Sequence, residues 1–283
     1  MTLIEVGLAD KTGKISASLM RSAARALHVQ VSRDLPKYWH IHAAVSFLPD
    51  PAQVPAGVWP VFLVDRLPSG EGGTHLDRHN QPYAKVIAKP DNADWTVDAS
   101  HEILEMLIDP YGNRLQSGPS LKVVKGKVVE GHSLYAYLVE ACDPCQGDAH
   151  AYPIHGVAVS DFITPHYYDP IRRAGTRYSF TGKVKHPREV LPGGYLSWIN
   201  HRNHEWQQLI WLDPKKGPTI RNYGTAPATA SLRGWVDAQM RRDAPDDLRH
   251  AHPRQANRAL QRQCAAKREE AEAIARARGE LYG

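Results

Sequence analysis

Between Asp98 and Pro110 the chain reads Asp-Ala-Ser-His-Glu-Ile-Leu-Glu-Met-Leu-Ile-Asp-Pro. Ile103, Leu104, Leu107 and Ile108 recur at three- and four-residue spacing, so the segment has to be a helix buried along one stripe. Asp98 or Ser100 can cap it by accepting from the free N–H groups of its first turn. Pro110 ends it, since proline has no N–H to donate. Such a helix needs a sheet to lie on, and the upstream chain supplies one. Leu3, Ile4 and Val6 read as an opening strand, and His40–Phe47, Val58–Val64 and Tyr83–Ala88 as three more. Between Ile15 and Val31, the spacing of Ile15, Leu19, Met20, Ala23, Ala26 and Leu27 predicts an amphipathic helix that Pro36 stops. Ser69 to Gly73 reads as a flexible loop. Strand, helix, strands, helix suggests an α/β layer with a sheet covered on one face, and the expected class is α+β.

The rest of the chain is less periodic. Leu121–Val129 and Leu134–Glu140 are strands or the start of another helix, and residues 150–225 are irregular with short strands. Near Ala226 the composition turns to Ala and Arg. From Arg241 to Gly283 there are ten Arg or Lys and seven Asp or Glu, a net +3, and Gln255–Leu281 reads as a solvated charged helix. Three stretches are expected: 1–165, a β-containing extension over 166–225, and a helical tail over 226–283. The tail's bases alternate with acids, which argues against a dedicated nucleic-acid arm and leaves docking on a partner or a neighbouring copy as the alternative. The whole chain carries only +5 over 283 residues, too mild an excess to mark a nucleic-acid binder. No apolar run approaches the ~20 residues of a membrane span. The opening residues have no apolar leader segment, so a cytoplasmic location is expected. Three cysteines, Cys142, Cys145 and Cys264, exclude a disulfide-built scaffold.

The chemistry concentrates on the Asp98 helix. His101 and Glu105 are four residues apart and stand on one face, Asp109 continues the row, and Glu102 sits beside His101. This is the spacing of the His-Glu-x-x-His zinc helix with glutamate in place of the second histidine. Two such ligands hold a metal while the intervening glutamate activates water. A carboxylate is an admissible zinc ligand; it also makes the site harder, which raises calcium and manganese as alternatives to zinc. A third ligand is required. Glu140, 35 residues after Glu105, and Asp109 compete for that place, with Asp143 placed to accept a proton from the other nitrogen of His101. Cys142 and Cys145 form a single Cys-x-x-Cys, read as a local structural pair that could also donate soft ligands. His75 and His79 read as solvated loop residues; His150, His155 and His166 as surface or packing histidines. Tyr167 and Tyr168 are candidates for oxyanion stabilisation. Gly193-Gly194-Tyr195 reads as a turn.

His101-Glu102-x-x-Glu105-x-x-x-Asp109-Pro110, preceded by Tyr83-Ala-Lys-Val86 and followed by Glu140-x-Cys-Asp143, resembles the zincin-like metallopeptidases. More narrowly it is similar to the Ser-His-Glu-x-x-Glu-x-x-x-Asp-Pro pattern, with a later Glu-x-x-Asp, of bacterial and phage zincin-like proteins. A similar helix occurs in the plant Exordium, or phosphate-induced, proteins. The resemblance covers about residues 1–165. It implies a zincin-like mixed sheet packed with an active-site helix, with Tyr83–Ala88 as the edge strand lining a substrate cleft. The expected function is metal-dependent hydrolysis of a peptide or protein substrate, with His101, Glu105 and Glu140 (or Asp109) as ligands and Glu102 as general base. The alternative is a metal-stabilised structural or interaction protein, such as a phage or assembly component.

Overall fold

The computed structural model describes residues 3–67, 72–90, 94–227 and 231–243. The chain opens with β1 (Ile4–Asp10), followed by α1 (Ala17–Val29). Ser16 caps α1 by accepting from the Leu19 N–H at 3.2 Å, and Met20, Ala23, Ala26 and Leu27 form its buried stripe. The helix then widens into a π turn over Gln30–Asp34. Pro36 therefore does not stop a helix; it occupies the first turn of a new one, α2 (Pro36–Trp39), where its missing N–H costs nothing. Next come β2 (Ala43–Phe47), β3 (Val58–Val64), β4 (Gly73–Arg78), β5 (Gln81–Ile87) and α3 (Trp95–Ile108).

These five strands form one sheet in the order β2-β1-β3-β5-β4. β1, β2, β3 and β5 run parallel, and β4 is antiparallel to β5 at the edge. The sequence expectation is corrected here. Tyr83–Ala88 is not the edge, because most of it belongs to β5, which is paired on both sides. The edge strand is β4, in the stretch expected to be loop. Buried and half-buried residues alternate along β3 and β5, the mark of a sheet with one face covered and the other partly open. α3 packs on β4 and β5, and both α1 and α3 touch β9 (Val157–Val159).

α3 starts three residues earlier than Asp98, so neither Asp98 nor Ser100 caps it. Asp98 lies inside the helix and accepts from the Lys89 ammonium at 2.7 Å. Ser100 is fully buried; its hydroxyl donates to Gln30 Oε1 at 2.7 Å and accepts from the Ser160 N–H at 2.9 Å, tying α3 to the π turn and to the segment after β9.

The second half is more regular than its composition suggests. β6 (Leu115–Val124) and β7 (Lys127–Leu138) form a hairpin, and β8 (Tyr152–Ile154) pairs with β9. β10 (Tyr195–Asn200), β11 (Glu205–Ile210) and β12 (Thr219–Gly224) complete an antiparallel sheet, β12-β11-β10-β7-β6. Strands from both sides of residue 165 share this sheet, and one hydrophobic cluster runs from Val6 to Leu209, so the core is continuous across that expected boundary. Stacking helps to hold the sheet, with the Tyr135 and Trp198 rings 5.6 Å apart and nearly parallel. Last comes α4 (Leu232–Asp243). It is not simply solvated: Val236 is buried against Leu138 and Trp206. Gln255–Leu281 lies outside the described residues. Among the described residues no helix is long and apolar enough to cross a membrane.

Candidate metal centre

α3 carries its polar row inward. Glu102 and Glu105 are buried, Glu105 completely, and His101 is nearly so. Three segments converge on them. The first is β4, where Gly73 lies flush against Glu102; a Cβ there would come within 2.7 Å of the Glu102 side chain. The glycines read from sequence as loop flexibility thus include one that permits close packing on the helix. Two residues along β4, His75 is 2 % exposed, with Nδ1 3.4 Å from Glu102 Oε2 and 3.8 Å from Glu105 Oε2.

The second segment is the chain leaving β7. The Cys142 N–H donates to Glu105 Oε1 at 3.0 Å, and Glu140 and Asp143 are buried alongside. Asp143 opens a 3-10 turn through Cys145, with Pro144 in its first turn. Gly194 seats that turn, since a Cβ there would meet the Asp143 carbonyl at 2.6 Å and the Pro144 carbonyl at 2.7 Å. Gly194→Ala should therefore push the Asp143 turn outward, costing about 1–3 kcal/mol of stability in urea unfolding. An unshifted midpoint would show that the turn yields freely. The third segment is α4, which brings in Arg233, 6 % exposed. Its guanidinium lies 3.3 Å from Glu102, 3.2 Å from Glu105 and 3.3 Å from Glu140.

His101 Nε2 is 3.1 Å from Glu105 Oε2 and 3.2 Å from Asp143 Oδ1. Both carboxylates face the same nitrogen, so Asp143 stands beside Glu105 rather than behind the imidazole as expected. His75 is bonded on both ring nitrogens. The network assigns its Nε2–H to the Asp109 carbonyl at 3.2 Å and its Nδ1 as acceptor of the Arg233 guanidinium. Asp109 is committed to local structure: its carboxylate accepts from the Arg114 N–H at 2.7 Å, just beyond the end of α3.

The electrostatics follow from burying four carboxylates together. Burial disfavours the charged form of Glu105, but His101 and Arg233 outweigh it and hold the carboxyl far below its ordinary value. Burial likewise opposes ionisation of Glu102, and Arg233, with His75 and His101, reverses the balance to a lowered value. Glu140 goes the other way: burial raises it well above the carboxylate range, with Glu105, Asp143 and Asp109 adding to what Arg233 offsets. Asp143 is pushed up to about 6 by burial and by the charge on Glu105. Burial lowers His75, with Arg233 adding to it. In His101 burial is overcome by Glu105 and Asp143, which raise the imidazole well above its usual range. The thiols of Cys142 and Cys145 are free, buried and raised by that burial.

Glu105 Oε2, both oxygens of Glu140 and Asp143 Oδ1 are buried without a hydrogen-bond partner. Buried carboxylate oxygens are rarely left so; Arg233 faces Glu105 Oε2 and Glu140 Oε2, and His101 faces Asp143 Oδ1, so this set of acids already gathers positive charge and fits a cation. Three groups have ligand atoms within 4.8 Å of one another: His101, Glu105 and Cys142; His75, Glu102 and Glu105; Glu105, Glu140 and Asp143. Glu105 belongs to all three.

No protein-family model matches the chain, and no curated protein or solved structure matches it. The centre therefore rests on its own geometry.

That geometry unites His101, Glu102, Glu105, Glu140 and Asp143 as sequence spacing suggested, and leaves Asp109 outside the three groups. His166 is exposed and paired with Asp169 at 2.9 Å, and His155 is exposed. His150 donates to the Pro192 carbonyl at 3.1 Å. The hydroxyls of Tyr167 and Tyr168 point at the backbone carbonyls of Glu189 and Leu138. Two residues of the centre were not legible as such. His75 could have been found only by reading Gly-Thr-His-Leu as a strand; Arg233 is one arginine among many in an Arg-rich stretch, with no local signal.

Proposed function

We propose that this chain is a metal-dependent hydrolase of the zincin kind that acts on a peptide bond. The observation that carries the reading is the convergence of buried carboxylate oxygens that make no hydrogen bond, from Glu105, Glu140 and Asp143, beside His101. In this reading His101, Glu105 and Glu140 hold the ion, and Asp143 stands beside Glu105 at the same nitrogen of His101. A divalent ion bound there would supply Lewis acidity toward a carbonyl and toward water. Glu102, adjacent to the ligands but aimed toward β4, takes the proton of the attacking water and passes it to the leaving amine. β4 supports the same reading. Among the described residues it pairs with β5 alone, and its Leu76–Arg78 end is exposed, an edge suited to an extended peptide as a further strand; His75 stands on it next to Glu102. His75 also supplies a second imidazole, which favours zinc over an all-oxygen cation.

A second reading, a metal-stabilised structural or interaction protein, is favoured by one observation. The centre is closed, with Glu102, Glu105, Glu140 and Asp143 all buried and α4 lying against them.

Equilibrium dialysis against Zn2+, Mn2+ and Ca2+, followed by elemental analysis, tests the metal centre. Stoichiometric zinc that is lost in Glu105→Ala is the expected result, because Glu105 is shared by every ligand group. Retained calcium without zinc would favour the structural reading. No metal bound by either protein would overturn both.

A further inference from the structure

Arg233 is the one residue at the centre that no metal-site pattern calls for. It reaches Glu102, Glu105 and Glu140 at 3.2–3.3 Å and Asp237, on its own helix, at 3.6 Å. It also bonds the ring nitrogen of His75 that faces the carboxylates. Glu105 and Glu140 are among the groups that would have to close on a divalent ion. A guanidinium at that distance from three carboxylates already holds the cation's place, and its charge would repel a second cation brought into the same oxygen cage.

The helix that carries it is lightly anchored. Val236 is its one buried apolar side chain among the described residues, with Leu232 and Trp235 partly covered, and the Arg233 N–H donates to the Gly112 carbonyl at 3.1 Å. Gly112 is in the left-handed region, and a Cβ there would meet the Cβ of Arg233 at 2.9 Å, so the contact depends on a bare backbone. The ionic grip of Arg233 helps to seat α4, a grip that a stronger cation for the same oxygens can replace.

We infer that Arg233 is an intramolecular occupant of the metal centre: α4 and a divalent ion compete for Glu105 and Glu140, and α4 withdraws when the ion binds. This rests on the metal-centre reading above. The structure is thus the closed state of the protein, with Glu102 and His75 of β4 held by Arg233 of α4. Because binding linkage is reciprocal, the ion weakens the docking of α4 by the same factor as α4 weakens the ion.

The test uses the full chain and calorimetric titration with Zn2+, with Mn2+ as a second probe. Arg233→Met removes the competing charge. It also leaves buried carboxylates uncompensated and could fail to fold, so Val236→Ser is the companion: it loosens α4 and leaves every carboxylate and Arg233 in place. Both variants should bind the ion roughly 5- to 150-fold more tightly than the wild type, the usual range of coupling between two sites. In the wild type, Zn2+ should accelerate amide exchange across residues 231–243. Variants that bind like the wild type or more weakly, with unchanged exchange in α4, would overturn the competition and leave the metal centre standing. An absence of binding to all three proteins would overturn the metal centre itself, and the competition with it.

Discussion

Glu102→Gln should lower peptide hydrolysis by about 10²–10⁴-fold, the usual contribution of a positioned general base, while leaving the bound metal unchanged. The substitution is nearly isosteric and removes the ability to accept a proton together with the carboxylate charge. Glu102 Oε2 lies 3.3 Å from Arg233 and 3.4 Å from His75 Nδ1, contacts that the amide can partly reproduce, so the fold should persist. Turnover of a fluorogenic peptide mixture in excess Zn2+, with elemental analysis of the same samples, separates the outcomes. Unchanged turnover would sink the assigned role of Glu102. Loss of metal together with activity would move Glu102 into the ligand set with His75 and Glu105. Wild-type protein that binds zinc and cleaves no peptide would favour the structural reading.

The second large effect is on pH. Asp143 is pushed up to about 6 and Glu140 well above its usual range, and His101 is raised too. All three must shed protons to serve an ion, so its apparent affinity falls as the pH falls. If two protons are displaced, each pH unit weakens binding about a hundredfold in the range where both groups are protonated. The metal-free protein should behave oppositely. A group whose folded value is raised binds protons more strongly when folded, so protonating it on the way down from pH 7.5 to about pH 5 stabilises the fold. Glu140, Asp143 and His101 act in this direction. His75, lowered by burial, opposes them, because the unfolded chain takes up its proton first. Glu102 and Glu105 are lowered, and their contribution is lost only below the ordinary carboxylate range. Melting temperatures over this pH range, with Zn2+ and with a chelator, should therefore slope in opposite directions. Parallel slopes would mean that the carboxylates and the ion are not linked.

Glu105→Ala is the matching chemical deletion. It removes the oxygen facing both His101 and His75, and the acceptor of the Cys142 N–H. Its loss of metal would be informative only alongside the milder Gly194→Ala, which disturbs Asp143 and leaves every ligand present.

Within the first half of the chain, the elements that could be read were those with local causes. The stripe on α1, the run of β3 and the apolar face of α3 each declare themselves within a few residues, because period and burial are properties of one segment. β4 did not, since Gly-Thr-His-Leu-Asp-Arg has no apolar alternation to set against the glycines before it. Its strand state is imposed by pairing with β5. The same reason explains the misplaced edge: which strand has a free side depends on the order of the sheet, and sheet order is a long-range fact. Ser100, read as a cap, turned out to satisfy Gln30 and Ser160, partners 70 and 60 residues away.

The sequence by itself determined the row of His101, Glu102 and Glu105, because residues one and four apart on a helix have no freedom to be elsewhere. It also determined that Glu140 and Asp143 were the downstream acids to consider. Only the tertiary structure decided that these groups meet, that Asp109 is committed to Arg114, that His75 lies beside Glu102 and Glu105, and that Arg233 lies among the carboxylates. Those outcomes depend on how two sheets and a terminal helix are brought against α3. A buried charge is tolerated only where distant segments supply its partner, so the identity of that partner is written in the packing rather than in any local stretch of chain.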